Sequence, residues 1–274
     1  MGKDQVASLI ISVYDNTKYL KVVLDSLKHQ TDKRFEIIVS EDAEHKHMKE
    51  FLANYQSPFP LYHLTQPDNG WNKNKALNQA AIFANTDYLI FIDGDCVLHP
   101  RFVEFHLKQA CKKCIVAGKR IKLDKTSTEW LMQSEQNFMN FQKYLAKNYL
   151  RIRGRGALFM EEGFFFAPES IFGFIPKLRG MKHLKGCNMS FYKEALLAIN
   201  GFDEDYIKPA VGEDADLNWR FQKVGYQLSS VRNLAVQYHL FHKESWINQD
   251  YNLELMRQKQ AKNQYVCLNG IKKN

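Results

Sequence analysis

The chain has 274 residues, 45% hydrophobic and 13% aromatic, with a formal net charge of +8. This composition excludes a disordered chain and is enough for a large core without disulfides. The basic excess points to an anionic partner, but no Lys/Arg cluster has the density or aromatic interleaving of a nucleic-acid module, so no nucleic acid is expected.

Residues 8–13 form an apolar run that reads as a strand. Tyr14-Asp15-Asn16-Thr17 follows as a loop able to cap a helix, on which Leu20, Val23, Leu24 and Leu27 share one face. Residues 35–39 read as a second buried strand, ending in Ser40-Glu41-Asp42. A strand–helix–strand unit of this kind predicts a right-handed crossover in a parallel sheet. A helix near 46–53, a short strand at 61–64 and a helix carrying Leu77, Ala80, Ala81 and Ala84 complete the alternation. The glycine-rich dinucleotide fingerprint and the phosphate-binding GxxxxGK[ST] loop are both missing. The expected class is α/β, with a mostly parallel, doubly wound sheet that binds ligands beyond its strand carboxyl ends.

The central stretch is Asp87-Tyr-Leu-Ile-Phe-Ile-Asp93-Gly94-Asp95. Tyr88 to Ile92 reads as a buried strand, and alternation along it puts Asp93 and Asp95 on one side. Gly94 is expected to relieve crowding between them. Two hard oxygen ligands at a strand end suit a divalent cation that also takes phosphate oxygens; the plainer reading is an Asp-Gly turn.

The next predicted elements are a helix at 102–109 and a strand at 115–117. Phe138, Phe141, Leu145 and Tyr149 follow as a helical core stripe. Residues 151–180, with Arg, Gly and Phe164-Phe165-Phe166, read as an irregular segment filling the core or touching a lipid headgroup surface. A strand at 186–191, a helix at 193–199 and the turn Asn200-Gly-Phe-Asp203 precede Gly212-Glu213-Asp214-Ala-Asp216. A helix is expected to begin at or just after Glu213 and end at Gly225. Acids in its first turn serve either as caps or as a base at a cleft edge. Residues 228–236 look like a strand leading to Tyr238-His239-Leu-Phe-His242, and a polar helical tail follows Trp246.

The five cysteines make no disulfide framework and suit a reducing compartment, with Cys111 and Cys114 read as partly buried thiols. Met1 to Gln5 lead into a strand without a signal peptide, and no apolar run reaches the roughly 20 residues of a spanning helix. A cytoplasmic chain is expected.

In this order and spacing, the Val13-Tyr14-Asp15-Asn16 strand end, Asp42, the helix around Asn78, Asp93-Gly94-Asp95 and Gly212-Glu213-Asp214 resemble a family 2 glycosyltransferase of the GT-A fold. Residues 188–220 also look like the C-terminal half of the galactosyltransferase group. The resemblance implies a glycosyltransferase domain at 1–242, with a nucleotide-binding half near 1–118, an acceptor-binding half near 119–242, and a helical extension at 243–274. It implies that Tyr14 and Asp42 hold the uracil of a UDP-sugar and that Lys75 and Asn78 lie near the nucleotide. Asp93 would contact ribose or sugar, and Asp95 would ligate Mn²⁺ or Mg²⁺ with His239 or His242 as a further ligand. Asp214 would be the base and Glu213 its acceptor-contacting neighbour, with Asp216 as the rival base on another face. The expected acceptor is a glycan or lipid-linked glycan of bacterial surface polysaccharide or lipopolysaccharide synthesis, reached by peripheral contact with the inner membrane leaflet. The competing readings are a non-catalytic nucleotide-sugar or polyanion binding module and a nucleotidyltransferase.

Overall fold

The computed structural model describes residues 5–243 and 248–273. The expectation of no leader at Met1–Asp4 therefore lies outside the described residues, as does Trp246. In the N-terminal half, strand β1 (Ala7–Val13), helix α1 (Thr17–Leu27), β2 (Phe35–Glu41), α2 (Lys46–Asn54), β3 (Leu61–Leu64), α3 (Lys73–Phe83) and β4 (Tyr88–Asp93) follow one another as the alternation predicts. Asn16 caps α1 by accepting from Tyr19 N at 3.0 Å. Next come β5 (Cys96–Leu98), α4 (Phe102–Lys108), β6 (Cys114–Ala117), β7 (Ile121–Lys122), α5 (Lys125–Met132), α6 (Gln136–Lys147) and α7 (Tyr149–Gly154). A 3₁₀ turn at Met160–Gly163 and α8 (Ile175–Leu178) are short regular pieces within the segment expected to be irregular. The chain continues through β8 (Asn188–Tyr192), α9 (Lys193–Ala198), a π-helical turn (Val211–Asp216), α10 (Leu217–Lys223), β9 (Gln227–Ser230), β10 (Gln237–His239) and α11 (Asp250–Ala261).

The main sheet has seven strands in the order β3-β2-β1-β4-β8-β6-β9, and only β8 runs against the rest. Both faces are covered, so the strands read as continuous apolar runs. Successive β1 residues divide between two cores: Leu9 and Ile11 lie in one, Ile10 in the other. The expected helical stripe holds for Phe138, Phe141 and Leu145, which are buried in the first core. A small second sheet, β5-β10-β7, sits beside the carboxyl end of β4.

Some expectations need correction. Cys111 and Cys114 are joined in a disulfide, with Cα atoms 5.2 Å apart; the turn between them brings the thiols within bonding reach, which spacing alone left open. The predicted strand at 228–236 is two shorter ones, β9 and β10. The chain after β9 bends back through Leu234 N to Val231 O and Ala235 N to Val231 O, changing sheets. The helix at Glu213 opens with the π turn, so the α-helix proper starts at Leu217. Residues 250–273 are packed down: Lys259 pairs with Asp203 and Asp205, Asn252 Nδ2 donates to Lys208 O, and Asn200 Nδ2 donates to Cys267 O.

Candidate active site

A cavity of about 1210 Å³ opens at the carboxyl ends of β1, β2 and β4. Its first wall comes from residues just past those strands. Tyr14 is half exposed, with its hydroxyl donating to Asp68 Oδ2 at 2.9 Å and its ring edge-on to His45. Asp42 is buried and accepts from Gln66 Nε2 at 2.6 Å and from the Asn72 amide at 2.8 Å. Burial raises its pKa above the ordinary carboxylate range, against the pull of those bonds.

Asp93 and Asp95 both line the cavity but have different neighbours. Asp93 is held between Lys73 Nζ at 2.8 Å and Arg120 Nη1 at 2.7 Å. Burial opposes its ionisation, but these two cations outweigh it and keep the carboxyl below its usual range. Asp95 Oδ2 lies 3.3 Å from His239 Nε2 and 3.2 Å from His242 Nε2, and the two imidazole nitrogens are 3.3 Å apart. Against the burial penalty, the two histidines hold Asp95 well below the carboxylate range.

The register of the small sheet explains how the histidines arrive. His239 pairs with Cys96, one residue beyond Asp95, and Leu240 N donates to Asp95 O. Phe241 is then fixed by Thr128 Oγ1 on its amide and by the Tyr19 hydroxyl on its carbonyl, and His242 turns back to the same carboxylate. Both candidate histidines therefore reach Asp95. A carboxylate oxygen and two imidazole nitrogens within 4.8 Å of one another are a donor set that fits a divalent ion.

Gly94 is also required by its packing on β1. A Cβ there would lie 2.5 Å from Val13 Cγ1 and 3.2 Å from Ser12 O, so β1 itself leaves no room for a side chain.

The second wall carries Glu213 and Asp214, presented by the π turn after Ala210, whose φ of 85° is a strained conformation for a non-glycine residue. Asp214 Oδ1 accepts from Gly186 N, and Oδ2 lies 3.2 Å from Lys185 Nζ. Gly186 packs tightly here: a Cβ would sit 3.0 Å from Asp214 Oδ1 and 3.1 Å from Glu213 Cγ. Glu213 is buried; Oε1 accepts from Ala210 N, and Oε2 has no hydrogen-bond partner among the described residues. Burial raises its pKa. Asp216 faces away from the cavity into a buried pair with Arg220 at 2.6 Å and accepts from the Tyr206 hydroxyl.

Two expected residues lie elsewhere. Lys75 is exposed and outside the cavity because it falls on the outer face of α3; Lys73, at the first position of that helix, takes the inward place. Asn78 is buried away from the cavity and staples α3 to the turn below it, exchanging bonds with Phe202 N and O and donating to Glu204. Sequence reasoning missed Lys73, Arg120 and Lys185. Arg120 sits in a visible basic cluster, but nothing in its local pattern distinguishes it from Lys119 and Lys122 beside it.

Comparison with known proteins identifies the family and the fold. The model for glycosyl transferase family 2 matches residues 8–180, and a model described as the N-terminal domain of galactosyltransferase matches residues 175–243. The putative glycosyltransferase EpsH of Bacillus subtilis is 30% identical over 106 residues, 38% of this chain and 30% of that protein, so the match spans under a third of the relative. Among solved structures, S. aureus TarS in complex with UDP-GlcNAc superposes with a TM-score of 0.58 at 16% identity, covering 97% of this chain and 67% of that one. The mannosyltransferase PcManGT of Pyrobaculum calidifontis, in complex with GDP-Man and Mn²⁺, gives 0.57 at 15%, covering 96% and 63%. These superpositions agree with the GT-A fold expected from the sequence. With the family model matching well over half its length, the chain belongs to glycosyl transferase family 2.

Proposed function

We propose that the chain is an inverting, metal-dependent glycosyltransferase that moves a sugar from a UDP-sugar to a hydroxyl of a glycan or lipid-linked glycan in surface polysaccharide or lipopolysaccharide synthesis. The observation that carries this reading is that the Asp95–His239–His242 donor set and the Glu213–Asp214 pair line one cavity. Solved relatives of the same fold hold nucleotide-sugar donors, one of them with Mn²⁺. A divalent ion, Mn²⁺ or Mg²⁺, held by Asp95, His239 and His242 would offset the charge of a diphosphate leaving group.

The chain's own residues do the rest. Tyr14 and Asp42 form the wall for the base, with a carboxylate oxygen of Asp42 accepting the uracil N–H. Lys73 and Arg120, braced on Asp93, face the diphosphate. Asp214 Oδ2 takes the proton of the acceptor hydroxyl as that oxygen bonds to the anomeric carbon and the bond to the diphosphate breaks. Attack from the side opposite the leaving group inverts the centre. The hydroxyl competes with Lys185 for Oδ2, while Gly186 N keeps the carboxylate oriented. Glu213 beside it contacts the acceptor, its buried Oε2 being without a hydrogen-bond partner among the described residues. A place at the cytoplasmic face of the membrane would bring this cavity to a lipid-linked acceptor.

The test is UDP release from UDP-sugars with Mn²⁺ or Mg²⁺ and candidate acceptors. Asp214→Asn is expected to lower turnover about 10²–10⁴-fold with little change in donor affinity, and Asp95→Ala to abolish metal-dependent donor binding by calorimetry. Equal UDP release by wild type and Asp214→Asn removes the assigned base. A wild type that binds donor but never releases UDP is a binding module.

A further inference from the structure

Four large apolar side chains stand in water within eight residues of one another: Ile171 is 83% exposed, Phe172 50%, Phe174 56% and Leu178 78%. Single exposed apolar residues are ordinary; a cluster of this kind marks an interaction surface. The segment carrying them is well bonded. Its backbone passes through consecutive turns, with Ser170 N donating to Ala167 O, Gly173 N to Ser170 O, Ile175 N to Phe172 O and Lys177 N to Phe174 O. Gly173 packs so closely on the preceding turn that a Cβ would meet Pro168 O at 2.1 Å. Both ends are pinned. Phe166 N donates to Asn233 O, while Arg179 donates to Glu162 at 3.0 Å and to Asn233 Oδ1 at 2.7 Å. An ordered scaffold thus holds apolar side chains out of the core, where Phe164 and Phe165 of the same segment are partly buried.

The charges around the cluster indicate what covers it. Lys177 and Lys182 are exposed, and neither enters an ion pair among the described residues. The nearby acids are already engaged: Glu169 pairs with Arg101 at 2.9 Å, and the buried Glu162 is held by Arg179 and Arg232. Apolar side chains fringed by uncompensated cations match the boundary of an anionic bilayer, where the former sink below the headgroups and the latter stay among the phosphates. No helix among the described residues is long and apolar enough to cross a membrane, so attachment through this face would be peripheral. The segment also lies in the chain between two residues of the cavity wall, Phe159 and Lys185.

We propose that residues 171–182 dock the protein on the surface of an anionic lipid bilayer. This deepens the membrane placement in the proposed function by naming the surface that makes the contact, and its failure is distinguishable from failure of the catalytic reading because the test involves no sugar transfer. The full chain is floated with vesicles of phosphatidylcholine alone or mixed with phosphatidylglycerol. Wild type is expected to float with the mixed vesicles and to lose that association as salt rises. The pair Phe172→Asp/Phe174→Asp is expected to lower the bound fraction about tenfold, Lys177→Glu/Lys182→Glu by less, and Ile82→Asp, an exposed apolar position on α3, to leave it unchanged. Ile171→Asp/Leu178→Asp supplies a second apolar pair should the first fail to fold, judged by its melting curve. Wild type that stays with the protein fraction, or folded apolar-pair variants that still float like wild type, overturn the proposal. So does a concentration-dependent dimer that these variants abolish, which would make the cover a second copy of the chain.

Discussion

On the side of β1, β2 and β4, cavity residues stand just beyond a strand, and the strands are buried in a continuous sheet. Tyr14, Asp42, Asp93 and Asp95 need little more than the strand ends to reach their places. On the opposite side, Glu213 and Asp214 sit on a strained π turn that no strand anchors directly. That turn is kept in place from behind, by the fully buried Asp216–Arg220 pair and by Arg220 donating to Ile199 O and Gly201 O. The C-terminal residues clamp the same turn region through Lys259 on Asp203 and Asp205. One half of the site is thus positioned by backbone ladders and the other by buried side-chain charge, which predicts different sensitivities to mutation.

The largest expected effect tests that difference. Arg220→Ala leaves Asp216 buried without its partner and should cost about 3–5 kcal/mol of stability, read as a lower denaturant midpoint. A loss no greater than that of an ordinary surface substitution would mean that the wall carrying Glu213 and Asp214 does not depend on this network.

A smaller effect is expected in the first half. Lys73→Ala should weaken UDP-sugar binding about tenfold by calorimetry, the scale of a lost hydrogen bond to a charged group, whereas Lys75→Ala should leave it unchanged. The reverse ranking would place the diphosphate away from Asp93.

The smallest effect concerns pH. Burial raises the folded-state pKa of Glu213, so ionising it costs stability; the penalty is absent below the ordinary carboxylate range and grows as pH rises through the raised value. Glu213→Gln carries no such penalty. The melting temperature of the variant relative to wild type should therefore climb by a few degrees from about pH 4 to neutrality. A difference that stays flat with pH would show that Glu213 is not ionising against its surroundings.

Much of the first half was readable because its signals are local. A five-residue apolar run bounded by acids cannot be buried in a sheet without placing those acids at its edge. The periodicities of α1 and α3 likewise marked their buried faces. Within α3, however, Lys75 is the residue expected at the nucleotide and Lys73 the one that lines the cavity, because the position depends on where the helix starts. A shift of two residues turns a side chain to the far side of the helix, and boundaries are the weakest part of a periodicity argument. Asn78 shows a different limit. A polar residue on a buried face signals a partner, but here the partner is the turn at Phe202, 124 residues away.

By itself the sequence determined the alternation of strands and helices as far as β4 and the acids at those strand ends, because each follows from hydrophobic spacing within a short window, and it displayed the acid pair beyond Gly212. Only the tertiary structure decided that His239 and His242 both face Asp95, that Arg120 and Lys73 share Asp93, and that Asp216 belongs to Arg220. Those choices rest on pairings between distant segments, such as β10 against β5. There the register of a three-residue strand sets which side chain meets the cavity, and no local pattern carries that information.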